Sequence, residues 1–143
     1  MVNESLFKEA VVIFHPYDSD FYSLMDNLFG IYISGIKKYR KAIFIGRLML
    51  TNVYQNCPHY CVTTGFHEQI LAMLCNDLHL VEEAELHINR AKDIHEVTHG
   101  NGHPILTRDC RQIVKDIECT RNSLSKLDVL FPSRVLRAVL PNV

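Results

Sequence analysis

Residues 81–104 are VEEAELHINRAKDIHEVTHGNGHP, and this segment has the clearest helical pattern in the chain. Three glutamates lie among its first five residues, where the helix dipole favours acidic side chains. Gly100 is the residue type that most often ends a helix in the left-handed conformation, and Pro104 suits the first turn of another helix. The stretch therefore predicts a helix over Val81–His99, a break, and a further helix from residue 104 to about residue 125.

Three more helices are predicted upstream, because apolar residues recur there at spacings of three and four. The first follows residues 18–20, whose side chains can cap a helix, and it stops near Gly35. The second ends before Pro58, since proline cannot continue a helical ladder. Either Thr63 or Thr64 is predicted to cap the third. No segment alternates convincingly between apolar and polar residues, so the predicted fold class is all-α.

The two ends of the chain are less regular. Residues 6–14 fit either the end of a helix or an extended segment. Residues 127–143 contain two prolines and four leucines, and we predict that they pack on the body as a short helix and an extended end.

An internal repeat appears when the sequence is shifted by 42 residues. One inner position of the first helix of each hairpin then holds Gly30, Ala72 or Val114, and one position of the second helix holds Ala42 or Ala84. Small side chains at such positions let paired helices approach closely. The repeat predicts antiparallel helical hairpins stacked as a short tetratricopeptide-like array, with about five main helices.

Composition favours one globular domain over residues 1–143, with the repeat body at about 13–125. Hydrophobic residues make up 48% and charged residues 22% of the chain. Lys and Arg number 15 against 16 Asp and Glu, so no net charge draws the chain to nucleic acid or to a membrane surface. The start lacks the basic and apolar regions of a secretory signal, and the five cysteines are therefore expected to be reduced thiols. We expect a cytoplasmic or nuclear protein.

Residues 84–104 resemble the C-terminal repeat of SMYD proteins, which are lysine methyltransferases with SET and MYND domains. The shared elements are an alanine-rich helix, Val97-Thr98-His99-Gly100 and His103-Pro104. Further elements follow in the same order upstream, and the resemblance covers about residues 13–122: Phe14-His15-Pro16, Tyr39-Arg40-Lys41-Ala42 and Pro58. Kinesin light-chain repeats share the period and the His-Gly-x-x-His-Pro break, but the order and spacing of these elements favour the SMYD domain.

The resemblance implies a non-catalytic role for this chain. In SMYD proteins the C-terminal domain closes one side of the substrate cleft and recruits partners. The ligand-rich MYND finger, the glycine-rich cofactor loop and the catalytic tyrosine of the SET domain have no counterpart in the sequence. We therefore predict a protein-interaction module without catalytic residues or cofactor. The alternative is a fragment of an S-adenosylmethionine-dependent lysine methyltransferase, in which this piece shapes the substrate cleft.

The concave wall of a tetratricopeptide array is formed by the first helix of each hairpin. The repeat alignment assigns nine residues to it, called the wall below: Asn27, Ile31, Ser34, Gln69, Met73, Asn76, Arg108, Arg111 and Lys115. The wall residues are neutral in the first two repeats and basic in the third. This charge pattern suits a peptide partner with acidic character. Other tetratricopeptide proteins grip a chaperone's acidic tail with a two-carboxylate clamp. Only Arg108 matches that clamp here, so the sequence does not support chaperone binding of this kind.

Histidine spacing raises the question of a metal site. His95 and His99 lie one helical turn apart, a spacing that can chelate a metal, but a site needs a third ligand. His99 and His103 belong to the repeat break, where a structural role is favoured. A second group lies one break away, at about 10 Å or more given helix packing distances: Cys57, His59 and Cys61. We predict no metal site, and a metal-dependent regulator is the weakest of the three functional alternatives.

Overall fold

The computed structural model describes residues 5, 9–10, 12–13, 15, 18–35, 37–57 and 60–130, with side chains as far as residue 126. From residue 18 onward the described chain forms five α-helices: α1 (Ser19–Gly30), α2 (Tyr39–Asn56), α3 (Val62–Asp77), α4 (Val81–His99) and α5 (Arg111–Leu130). No described residue lies in a strand, so the all-α prediction is confirmed. The predicted packing of the tail beyond residue 130 lies outside the described residues.

Consecutive helices pack against each other, and α3 lies at the centre of the array. The α3–α4 contact is the most extensive, and α3 also touches α2 and α5. Side chains join it to α1 as well, because the Tyr22 hydroxyl lies 2.8 Å from Nε2 of His67. Within the described part of the chain, no helix combines the length and the apolar character needed to cross a membrane.

Several helix ends fall where the sequence predicts them, but α5 extends to Leu130, beyond the predicted end at about residue 125. The Asp18 carboxylate accepts the backbone N–H of Asp20 at 2.8 Å and so caps α1. The bounds of α4 are those predicted, Val81–His99. The predicted cap of α3 is wrong, because its N-cap is Cys61, which has extended backbone angles. Thr64 lies inside the first turn of α3 and is fully buried there.

Two π-helical segments interrupt the predicted pattern: π1 (Ile31–Gly35) directly after α1, and π2 (Ile105–Cys110) directly before α5. The hydrogen bonds of a π-helix join residues five apart, which brings such residues one above the other. Ile105 and Cys110 are five apart and are both buried. The π2 segment thus keeps both side chains in the core. Gly100 has the predicted positive φ of +85°, but its ψ of 154° is extended, so it starts a connecting loop instead of a left-handed cap.

Glycine lets helices approach closely at Gly46, not at the predicted Gly30. A β-carbon on Gly46 would lie 2.8 Å from Cδ2 of Leu71 and 2.9 Å from Cε2 of Phe29. Gly30 is exposed, and a β-carbon there would meet nothing within 4 Å, so its assignment to an inner position is wrong. The predicted small-residue positions that hold alanine are fully buried: Ala42, Ala72, Ala84 and Ala91.

We predict that Gly46→Val lowers the free energy of unfolding by about 2 kcal/mol, because its added carbons overpack buried side chains of α1 and α3. Urea unfolding followed by circular dichroism measures the change. The control is Gly30→Ala, which should be neutral or stabilise by up to about 1 kcal/mol, since alanine favours helix and meets no neighbour. Equal effects of the two substitutions would contradict the close approach at Gly46.

Candidate protein-binding wall and the buried polar groups beside it

The structure leaves the predicted wall open to solvent. Seven of its nine residues are exposed, and Gln69 and Asn76 are half-buried. Contact between α3 and π2 brings two parts of the wall together, because the Cys110 thiol lies 3.9 Å from Oε1 of Gln69. The exposed apolar residues are Ile31 at 40% and Met73 at 49%. The wall therefore offers apolar contacts on α3 beside the segment that carries its basic residues.

Two more apolar residues of α3 belong to this surface, and the sequence analysis missed them. Val62 is 41% and Phe66 is 44% exposed, and together with Met73 they are called the α3 stripe below. Spacings of four and seven residues put these three side chains on one side of a helix. Helical spacing alone does not reveal that Phe66 is exposed, because an apolar residue on an amphipathic helix usually faces inward.

The basic part of the wall is not uniform. Nε of Arg108 donates to Oδ1 of the adjacent Asp109 at 2.6 Å, which raises the pKa of Arg108 and lowers that of Asp109. Arg111 and Lys115 are exposed one turn apart on α5, and neither pairs with an acidic residue of the described chain. They are the wall's available positive charges.

Asn76 contributes an unsatisfied acceptor at one end of the wall. Its side-chain oxygen is buried, and no donor within the described residues hydrogen-bonds to it. An unpaired buried acceptor costs free energy, which a hydrogen bond from a ligand would recover. Because the protein covers this oxygen, a bound chain can donate to it only if the Asn76 side chain first rotates towards solvent.

On another side of α3, the side chain of Glu68 is fully buried in a polar network. Its Oε1 accepts the Tyr54 hydroxyl at 2.5 Å, and its Oε2 lies 2.5 Å from Nδ1 of His87. The guanidinium of Arg90 lies 3.8 Å from Oε1. Burial and the Glu68 carboxylate raise the pKa of Tyr54, so its hydroxyl stays protonated and donates. One carboxylate thereby joins α2, α3 and α4.

Two surface cavities border this network. One of about 660 Å³ is lined by residues that include Tyr60 and Asp93, and one of about 370 Å³ is lined by residues that include Leu86. Tyr54 and Arg90 line both. The Glu68 network therefore fixes the side chains that separate the two cavities.

The three histidines singled out in the sequence form a stack. Their ring centroids are 5.3 Å apart from His95 to His99 and 4.7 Å apart from His99 to His103. The ring of His95 is fully buried against Phe66, with centroids 5.2 Å apart, and a β-carbon on Gly65 would lie 2.7 Å from it. Burial, together with the other two histidines, lowers the pKa of His95.

No group of three or more His, Cys, Asp or Glu residues in the described chain is arranged to hold a metal ion. Nδ1 of His103 accepts the backbone N–H of Ile105 at 3.3 Å, and Nδ1 of His99 lies 2.8 Å from the Thr98 hydroxyl. These contacts support the structural role predicted for His99 and His103. His59 of the second predicted group lies outside the described residues.

Comparison with known proteins found no matching family model and no matching curated protein. The resemblance to the SMYD C-terminal domain therefore remains a prediction from the sequence.

We predict that Glu68→Ala lowers the free energy of unfolding by about 3 kcal/mol, because it leaves the buried ring of His87 and the Tyr54 hydroxyl without their common partner. Urea unfolding at pH 7 measures the loss. Glu96→Ala is the control, since Glu96 is exposed on α4 and its removal should change stability by no more than about 0.5 kcal/mol. Equal stability of the two variants would show that the Glu68 carboxylate does not hold α2, α3 and α4 together.

Stability should fall as the pH drops below 6.5, the usual pKa of histidine. The folded state holds His95 neutral there, while the unfolded state takes up a proton. His67 adds to the fall, since burial lowers its pKa too. In urea unfolding from pH 8 to pH 5, His95→Phe should therefore flatten the profile. His79→Asn, at an exposed turn, should leave the profile unchanged. A His95→Phe profile as steep as the unmodified one would contradict the assignment.

Proposed function

We propose that this chain is a protein-interaction module that binds a peptide of acidic character along the wall. The observation that carries the proposal is the α3 stripe. The central helix is enclosed by the other helices, yet it leaves Val62, Phe66 and Met73 between 41% and 49% exposed. Apolar side chains grouped on one helix face and bordered by polar groups are typical of a partner-binding surface.

The charges beside the stripe indicate the character of the partner. Arg111 and Lys115 are the available cations, and the segment that precedes them touches α3 through Cys110 and Gln69. A peptide that buries apolar side chains on the stripe therefore passes close to positive charge. Acidic residues in the peptide would gain charge-assisted hydrogen bonds there.

The backbone of the wall also departs from regular helix at both ends. Ile31 and Ser34 lie in π1, and Arg108 lies in π2. Single-turn π-helical segments are uncommon and occur frequently at functional sites, where they redirect side chains. The two departures support a wall shaped for recognition.

The proposal agrees with the role that the SMYD resemblance implies, since that domain recruits partners. Five free cysteines favour the cytoplasm or the nucleus as the place where the module acts. A site for a peptide needs no cofactor, and none is part of the proposal.

The test begins with selection of binders from a displayed library of peptides that mix acidic and apolar residues, with a charge-reversed library as comparison. The best acidic peptide is then measured by fluorescence anisotropy. Met73→Asp should weaken binding by about tenfold or more, because it puts a charge on an apolar contact. Arg111→Glu combined with Lys115→Glu should abolish binding, since these are the available cations and the wall then repels the peptide.

Matched controls lie outside the wall. Leu86→Asp changes a residue of α4 that is 51% exposed, close to the 49% of Met73, and should leave affinity unchanged. Lys38→Glu combined with Arg40→Glu reverses the same number of charges next to and within α2. Loss of binding in these controls but not in the wall variants would refute the proposal, as would selection of basic peptides only.

A further inference from the structure

A cavity of about 660 Å³ borders the Glu68 network, and the proposed function does not use it. Sites for small molecules are typically clefts of roughly 300–1,000 Å³ that combine apolar walls with a few polar groups. The lining includes Tyr54 of α2, Tyr60 of the α2–α3 connection, and Arg90, Asp93 and Ile94 of α4. None of these residues belongs to the wall or to the α3 stripe. The cavity is therefore a second candidate site.

A buried carboxylate orients two of the residues that line the cavity. The Glu68 side chain is fully buried, and its Oε1 accepts the Tyr54 hydroxyl at 2.5 Å. Nη1 of Arg90 lies 3.8 Å from the same oxygen, which is close enough for an ion pair but too far for a hydrogen bond. The Arg90 side chain is also half exposed. The charge of Glu68 thus orients the guanidinium, while the N–H groups of Arg90 remain available to a ligand.

The cavity carries two opposite charges one helical turn apart. Asp93 follows Arg90 by three residues, so both side chains lie on one face of α4, with β-carbons about 5–6 Å apart. Both side chains are exposed and do not pair with each other, and Asp93 pairs with no cation of the described chain. The carboxylate and the guanidinium can therefore both bind atoms of a ligand.

The other lining residues provide aromatic and aliphatic surface. Tyr54 is 37% and Tyr60 is 55% exposed. The Tyr54 hydroxyl is already hydrogen-bonded to Glu68, so Tyr54 offers a ligand mainly its ring. Together with Ile94, the two rings can pack against an aromatic or a large aliphatic group.

The pair of charges selects among ligand classes. A simple anion would be attracted by Arg90 but repelled by Asp93, and a simple cation would meet the reverse arrangement. A ligand with one charge of each sign forms both favourable contacts. An α-amino acid carries its ammonium and carboxylate groups on one carbon atom, which matches the single turn between Arg90 and Asp93.

We propose that the cavity binds a free α-amino acid with an aromatic or large aliphatic side chain. Arg90 donates to the ligand's carboxylate, and Asp93 accepts from its ammonium group, so both hydrogen bonds are charge-assisted. The ligand's side chain packs against Tyr54 and Tyr60. Binding at this site does not depend on the wall binding a peptide.

The test is isothermal titration calorimetry of the full chain at neutral pH with L-phenylalanine and L-leucine. Three related compounds each lack one recognised group: N-acetyl-L-phenylalanine has no ammonium, L-phenylalaninamide has no carboxylate, and glycine has no side chain. We expect each to bind at least about tenfold more weakly than L-phenylalanine, since each loses one contact with the cavity. Equal binding of the three compounds, or no binding of either amino acid at millimolar concentrations, would overturn the proposal.

Asp93→Asn removes the charge that faces the ammonium group and leaves the Glu68 network intact. L-phenylalanine should then bind more weakly by about tenfold, whereas the affinity of N-acetyl-L-phenylalanine should change little. A substitution that merely disturbed the structure would weaken both. Glu96→Gln is the matched control, because Glu96 is exposed one turn further along α4 and is not among the described lining residues. Equal affinity of the two variants for L-phenylalanine would refute the role of Asp93.

The aromatic wall has its own pair of variants. Tyr60→Ala should weaken binding of L-phenylalanine, because it removes a ring that packs against the ligand, and Tyr60→Phe should preserve it. The same loss in both variants would contradict this contact. Asp93→Asn should also leave the affinity for the selected acidic peptide unchanged. Failure of the amino acid to bind and failure of the peptide to bind are therefore separate results.

Discussion

The buried carboxylate of Glu68 determines how the central helix is turned within the array. It binds Tyr54 of α2 and His87 of α4. If these contacts were lost, the buried groups of Glu68 and His87 would be left without a hydrogen-bond partner. A helix rotates by about 100° per residue, so Phe66 and Met73 lie on the side of α3 roughly opposite Glu68. The same contact that joins three helices thus directs the α3 stripe towards solvent.

Close packing around α3 reinforces this orientation. Gly46 lets Leu71 and Phe29 meet at the backbone of α2, and Gly65 makes room for the ring of His95 beside α3. A β-carbon on either glycine would clash with the side chain that packs against it. Because the helix is held on these sides, its exposed stripe is a fixed surface, and a partner that binds it loses little free energy in ordering the protein.

Much of the fold could be predicted because it depends on local signals. The apolar period and Gly100 place the end of α4 correctly, and Asp18 caps α1 as expected. The failures concern contacts between distant residues. Nothing in the spacing distinguishes Gly46 from Gly30, since only the neighbouring helices make one of them tight. The π-helical segments depend on which side chains the core must accommodate, which a helical period does not reveal.

The candidate site was predictable in part for the same reason. The repeat alignment found Met73 and Arg111, because register within a helical hairpin carries over from one repeat to the next. It missed Phe66, since an apolar residue at helical spacing ordinarily predicts burial. No sequence pattern predicts that Glu68 is buried. Its partners lie 14 and 19 residues away, and a lone glutamate in a helix usually faces water.

We propose that the exposed face of α3 and the adjoining basic segment form one protein-binding surface. Backbone amide chemical shifts of the isotope-labelled chain, recorded during titration with the selected acidic peptide, test this proposal. We expect the largest shifts on α3 between residues 62 and 76 and on residues 108–115. Shifts concentrated instead on the exposed faces of α2 and α4, around Phe44 and Leu86, would contradict it.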